Sequence, residues 1–97
     1  MLFAIHALDR EGALPKRLEN YAAHREYLAK AAQFGVKIVI SGPLTKDDGE
    51  TMMGSLFVVE AENRETVERF NANDPFRKAD LWERVTITGF IKRQDNR

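Results

Sequence analysis

The chain opens on an apolar run from Leu2 to Leu8, interrupted only by His6 and closed by Asp9-Arg10-Glu11-Gly12. A run this short, with turn residues behind it, predicts a strand. From Leu14 to Phe34 the apolar positions switch to helical spacing. Leu14, Leu18, Tyr21, Ala22, Leu28, Ala29 and Ala32 form one stripe, which predicts a helix laying that stripe on the core. Pro15 suits its first turn and Gly35 its stop. Val36 to Ile40 predicts a second strand, broken abruptly by a Ser41-Gly42-Pro43 turn. A polar hairpin loop, Thr45 to Thr51, leads into a third strand, Gly54 to Ala61. Asn63 then caps a second helix with Val67 and Phe70 inward, and Asp74-Pro75-Phe76 starts a short further helical turn. Val85 to Ile91 is the last strand, and the charged tail 92–97 is expected to fray.

The order β-α-β-β-α-β predicts a ferredoxin-like α+β fold, an antiparallel sheet with helices on one face. In that topology the first and third strands are central, and here both are apolar on both faces. Leu2, Ala4 and Leu8 oppose Phe3, Ile5 and Ala7; Leu56 and Val58 oppose Phe57 and Val59. Helices cover one face only, and a sheet with a wet second face alternates more cleanly. A second copy is therefore expected on the other side, sheet face to sheet face, in a homodimer that forms a dimeric α/β barrel. The 97 residues make a single domain, 1–97. A chain of this length buries only roughly 60–68% of its unfolded surface, so burial against a partner adds to a modest core.

Composition narrows the function classes. Fifteen basic and fifteen acidic residues balance, with no basic stripe to track phosphates, which argues against a nucleic-acid partner. There is no cysteine, so disulfides and thiolate metal sites are excluded. The first residues lack the basic region and long apolar stretch of a signal peptide, and no apolar run approaches the ~20 residues that span a bilayer. A cytoplasmic protein without a membrane partner is the expectation. His6 and His24 show no ligand spacing, and Lys46-Asp47-Asp48-Gly49-Glu50 lacks the regular oxygen spacing of a calcium loop, so no metal is expected. His6 is expected to be a satisfied or pocket-lining histidine.

The candidate chemistry rests on few residues. Arg17, Asn20 and His24 share one helix face at the margin of the apolar stripe. A half-desolvated imidazole there can accept a proton near neutral pH, and a nearby carboxylate would fix its tautomer. Read alone, His24 is more simply a solvated helix residue, and Asp74 before Pro75 is more simply a helix cap. The two roles of Asp74 are compatible, because a capping carboxylate has a second oxygen free for an imidazole. Ser41-Gly42 can wall a pocket or simply turn the chain.

In order and spacing these pieces resemble the YciI-like (YCII-related) family over essentially the whole chain. The carriers are the apolar opening strand ending in Asp9, Arg17 and His24, Gly35, Ser41-Gly42-Pro43-Leu44, Gly54-Ser55, Asp74-Pro75-Phe76 and Val85-Thr86-Ile87-Thr88-Gly89-Phe90. The resemblance implies a dimeric α/β barrel with a His–Asp pair, His24 and Asp74, in a pocket beside the dimer interface. It also implies Arg17, Ser41 and Gly42 as neighbours contacting an unknown small-molecule ligand, with Arg17 holding an anionic group. A related protein described as a dehydrochlorinase points to cofactor-independent lyase or hydrolase-like proton transfer. A non-catalytic metabolite-binding or accessory module is the alternative, and a haem-type monooxygenase of the same barrel fold the third. Asp80 departs from the family pattern, standing where a glycine is usual; it is expected to alter the loop beside Asp74 or to compete for His24.

Overall fold

The computed structural model describes residues 1–97. The apolar runs become four strands, β1 (Leu2–Asp9), β2 (Lys37–Thr45), β3 (Met52–Glu60) and β4 (Trp82–Phe90), paired antiparallel in the order β2-β3-β1-β4. β1 and β3 are central, and the connectivity is the expected ferredoxin-like one. Helices α1 (Leu14–Leu28), α2 (Arg64–Ala72) and α3 (Pro75–Lys78) cover one face. Register places Phe3 opposite Val59 and Ile5 opposite Phe57. These four side chains are buried against Val67, Phe70, Phe76 and Leu81 from the helical layer. Each contributes roughly 1.5–3 kcal/mol by leaving water. Asn63 caps α2 as expected, its Oδ1 accepting the Thr66 N–H at 2.9 Å.

Three local expectations change. The long helix ends at Leu28, and a separate 3-10 turn, Ala31–Phe34, follows before Gly35 takes φ 77°. The break turns Phe34 inward, 5.1 Å from Tyr27 and 6.0 Å from Phe70 between ring centroids, contacts that aromatic edges favour. The Ser41-Gly42-Pro43 turn does not form. β2 runs straight through it, pairing Ser41 with Phe57, Gly42 with Leu56 and Pro43 with Ser55. A proline is admissible because β2 is an edge strand, where not every backbone N–H needs a partner. The register slips between Ile38 and Ile40, leaving Val39 as the extra residue of a bulge. The loop therefore shortens to a hairpin whose Asp48 Oδ1 accepts from Glu50 and Thr51 N–H, both at 2.9 Å.

Gly54 shows why β3 carries a glycine opposite Leu8: a Cβ there would collide with the Ala7 carbonyl oxygen. The sheet face away from the helices stays open. Leu56, Ile40 and Phe90 on it are 37, 50 and 44% exposed. His6 lies among them, exposed and flanked by Leu56 and Thr86, so it is not a buried, satisfied histidine. Residues 91–97 adopt no helix or strand, and Arg97 donates from Nη1 to the Val39 carbonyl at 3.3 Å.

Candidate active site

The helix α1 is turned differently from its apolar stripe. Its two buried residues are Arg17 and His24, whereas Leu18 and Tyr21 are 57 and 48% exposed. Buried polar groups are tolerable only when paired, and each has a partner from a distant strand or turn. Arg17 forks onto Asp9 at the end of β1, Nε to Oδ2 at 2.8 Å and Nη2 to Oδ1 at 3.0 Å. Nη2 also donates to Ser55 Oγ at 2.7 Å. Asn20, the third member of the expected face, bonds back to the Lys16 carbonyl and joins none of this.

His24 Nδ1 lies 2.8 Å from Asp74 Oδ1. An ionised carboxylate only accepts, so the pairing puts the imidazole proton on Nδ1 and leaves a lone pair on Nε2. The same Oδ1 accepts the Phe76 N–H at 2.8 Å, so Asp74 caps α3 and holds His24 at once. Phe76 completes the support. The imidazole stacks on its ring at 3.8 Å and 11° between planes, and Arg17 lies over the ring 4.8 Å from the centroid. Asp74 Oδ2 and Trp82 Nε1 are the occluded side-chain polar atoms without a partner; Nε2 of His24 is not among them.

That nitrogen opens on a cavity of about 520 Å³ between α1 and the β2–β3 edge. The volume falls within the roughly 300–1,000 Å³ of small-molecule sites. Arg17, His24, Ser41 and Gly42 all line it, with Leu18, Tyr21, Leu28, Pro43 and Phe57 as apolar wall. Asp74 stands behind His24 instead of on the wall. Asp9 and Ser55 hold Arg17 and were missed as site residues; their signal was a polar residue ending a strand and one following a glycine. Arg25, also on the wall, carried no sequence signal.

Asp80 does not compete for His24. It adopts the left-handed φ of 59° that asparagine and aspartate accept most readily among non-glycine residues. Its carboxylate turns outward to Arg10 at 3.0 Å.

Tyr27 sits close enough to feel this centre. Burial and, second, the charge of Asp74 push its hydroxyl up to about 12, while the O–H donates to the Phe70 carbonyl at 2.7 Å. A value raised on folding means the native state holds the proton longer than the unfolded chain. The associated stability is present below pH 10 and lost as pH rises through about 12. Alkaline unfolding followed by circular dichroism should show this loss in wild type, and Tyr27→Phe should flatten it. An unchanged slope in the variant would assign the transition elsewhere.

No three His, Cys, Asp or Glu side chains come together in a way that could hold a metal ion. No helix is long and apolar enough to cross a membrane. Residues 1–91 match the YCII-related domain. Protein YciI of Escherichia coli is 30% identical over 97 residues, covering 95% of this chain and 98% of that protein. Among solved structures, 5-chloro-2-hydroxyhydroquinone dehydrochlorinase (TftG) from Burkholderia phenoliruptrix AC1100, in complex with 2,5-dihydroxybenzoquinone, is 39% identical with a TM-score of 0.82; the match covers 94% of each chain. An antibiotic biosynthesis monooxygenase is similar at 16% identity and a TM-score of 0.53, covering 95% of this chain and 100% of that one, which speaks for the fold alone.

Proposed function

The chain belongs to the YCII-related family, and from that premise we propose that the cavity beside α1 is a cofactor-independent active site in which His24 moves a proton. The observation that carries this is the 2.8 Å contact between His24 Nδ1 and Asp74 Oδ1, with the opposite ring edge left to the cavity. Asp74 fixes the tautomer and supports the charged imidazole; Nε2 is the general base. Ser41 and Gly42 form the facing wall. Arg17 retains Nη1 as a donor for a ligand oxygen, since Nε and Nη2 are committed to Asp9 and Ser55.

The related dehydrochlorinase supports elimination as the reaction type. In the keto tautomer of the ring substrate a hydroxyl proton has moved to the chlorine-bearing carbon. Nε2 takes a second hydroxyl proton, and that O–H pair becomes a carbonyl. The ring π electrons shift to form a double bond at the chlorinated carbon, and chloride departs with the C–Cl bonding pair. Hydrogen chloride is lost overall, and no redox partner is needed. Titrating 2,5-dihydroxybenzoquinone while following the His24 imidazole by NMR tests the site. Saturable shifts of that imidazole are expected; shifts confined to other residues would refute the reading.

A homodimer belongs to the same proposal. Ile40, Leu56 and Phe90 present an apolar patch on the uncovered sheet face, which a second copy would bury. Sedimentation at micromolar concentration should give a species of twice the chain mass, and a stable monomer would contradict it.

A further inference from the structure

We infer that Arg25 selects an anionic ligand, making the preferred occupant of the cavity a small planar ring bearing an ionised oxygen. The inference rests on the active-site reading above and names its substrate class. Arg25 follows His24 on α1, is exposed, and lines the cavity. Its guanidinium makes no hydrogen bond and no ion pair within the chain. The neighbours that a helix places beside it, Tyr21, Ala22, Leu28 and Ala29, include no acid.

Charge on the cavity wall is otherwise cancelled. Arg17 is neutralised by the bidentate Asp9 carboxylate, and His24, as the base, carries no formal charge where it faces the cavity, with Asp74 behind it and off the wall. Arg25 is thus the one wall residue with an unopposed formal charge, beside apolar side chains that suit the faces of a ring. A basic residue in the last turn of α1 also complements the helix dipole. That accounts for the charge; it does not account for a cavity wall containing no acid to meet it. A guanidinium at such a mouth binds a carboxylate-like pair of oxygens in a fork and discriminates strongly against uncharged analogues.

The experiment compares two rings by calorimetry. In 2,5-dihydroxybenzoquinone the hydroxyls are vinylogous acids and are ionised at neutral pH; hydroquinone is uncharged there. Wild type should prefer the anion, more weakly as salt rises. Arg25→Gln should weaken the anion at least about tenfold and hydroquinone less than about twofold, with Arg25→Lys in between. Anion binding unchanged in Arg25→Gln, or both rings weakened alike, overturns the role of Arg25 and leaves the active site standing. Failure of wild type to bind either ring overturns the active-site reading and this inference together. Because Arg25 is exposed and unpaired, its variants are expected to keep wild-type unfolding midpoints.

Discussion

Replacing His24 with Gln is expected to lower the rate of chloride release from a chlorinated hydroxyhydroquinone by roughly 10²–10⁴-fold, the usual worth of a positioned general base. Gln is chosen because its amide can still donate to Asp74 Oδ1, so that the buried carboxylate is not stranded. The loss should fall mainly on kcat, since the substitution leaves Arg17 and the apolar wall of Leu18, Tyr21, Leu28 and Phe57 in place to bind the ring. Asp74→Asn should also lose rate, because a neutral side chain no longer supports the imidazolium. The double variant should be little worse than His24→Gln, as befits two groups that act as one unit. A His24→Gln protein within about twofold of wild type would exclude the base role.

The second large effect concerns stability. Arg17→Met should cost about 3–5 kcal/mol, because removing one member of a buried ion pair leaves the other uncompensated. Asp9 and Arg17 side chains are only 5 and 3% exposed, and Arg17 is the sole donor to that carboxylate. At roughly 4–8 °C per kcal/mol for a domain this size, the unfolding midpoint falls by more than about 12 °C. Replacing both, Asp9→Leu with Arg17→Met, should recover much of the loss, since apolar side chains often substitute for a buried pair without penalty. Thermal denaturation of the two singles and the double closes the cycle. A single-variant cost below about 1 kcal/mol would place the pair in an environment wetter than its burial indicates.

Element order, the central place of β1 and β3, and the cap at Asn63 were all legible in the apolar pattern, because local periodicity and capping chemistry act within a few residues. The rotation of α1 was not. Leu18 and Tyr21 look like core residues by spacing, yet Arg17 and His24 face inward. Their partners lie 8, 38 and 50 residues away, at Asp9, Ser55 and Asp74, and periodicity cannot register a polar residue whose burial is bought by a distant one. The path of β2 through Gly42-Pro43 was equally hidden. Those residues signal a turn in general, and only the strand's place at the sheet edge makes them admissible. His24 and Asp74 became readable as a pair through the family resemblance; taken singly, each had an ordinary helical role.

The edge position of β2 bears on how far the cavity can be redesigned. Edge strands offer free backbone groups to any other extended chain and so risk fibril growth. Here Pro43 contributes no N–H, the Val39 bulge disrupts the flat ladder, and Arg97 occupies the Val39 carbonyl. Pro43 also walls the cavity. Widening the pocket with Pro43→Ala would therefore return a backbone N–H to this edge strand, so a variant made for a larger ligand would also become more prone to aggregate.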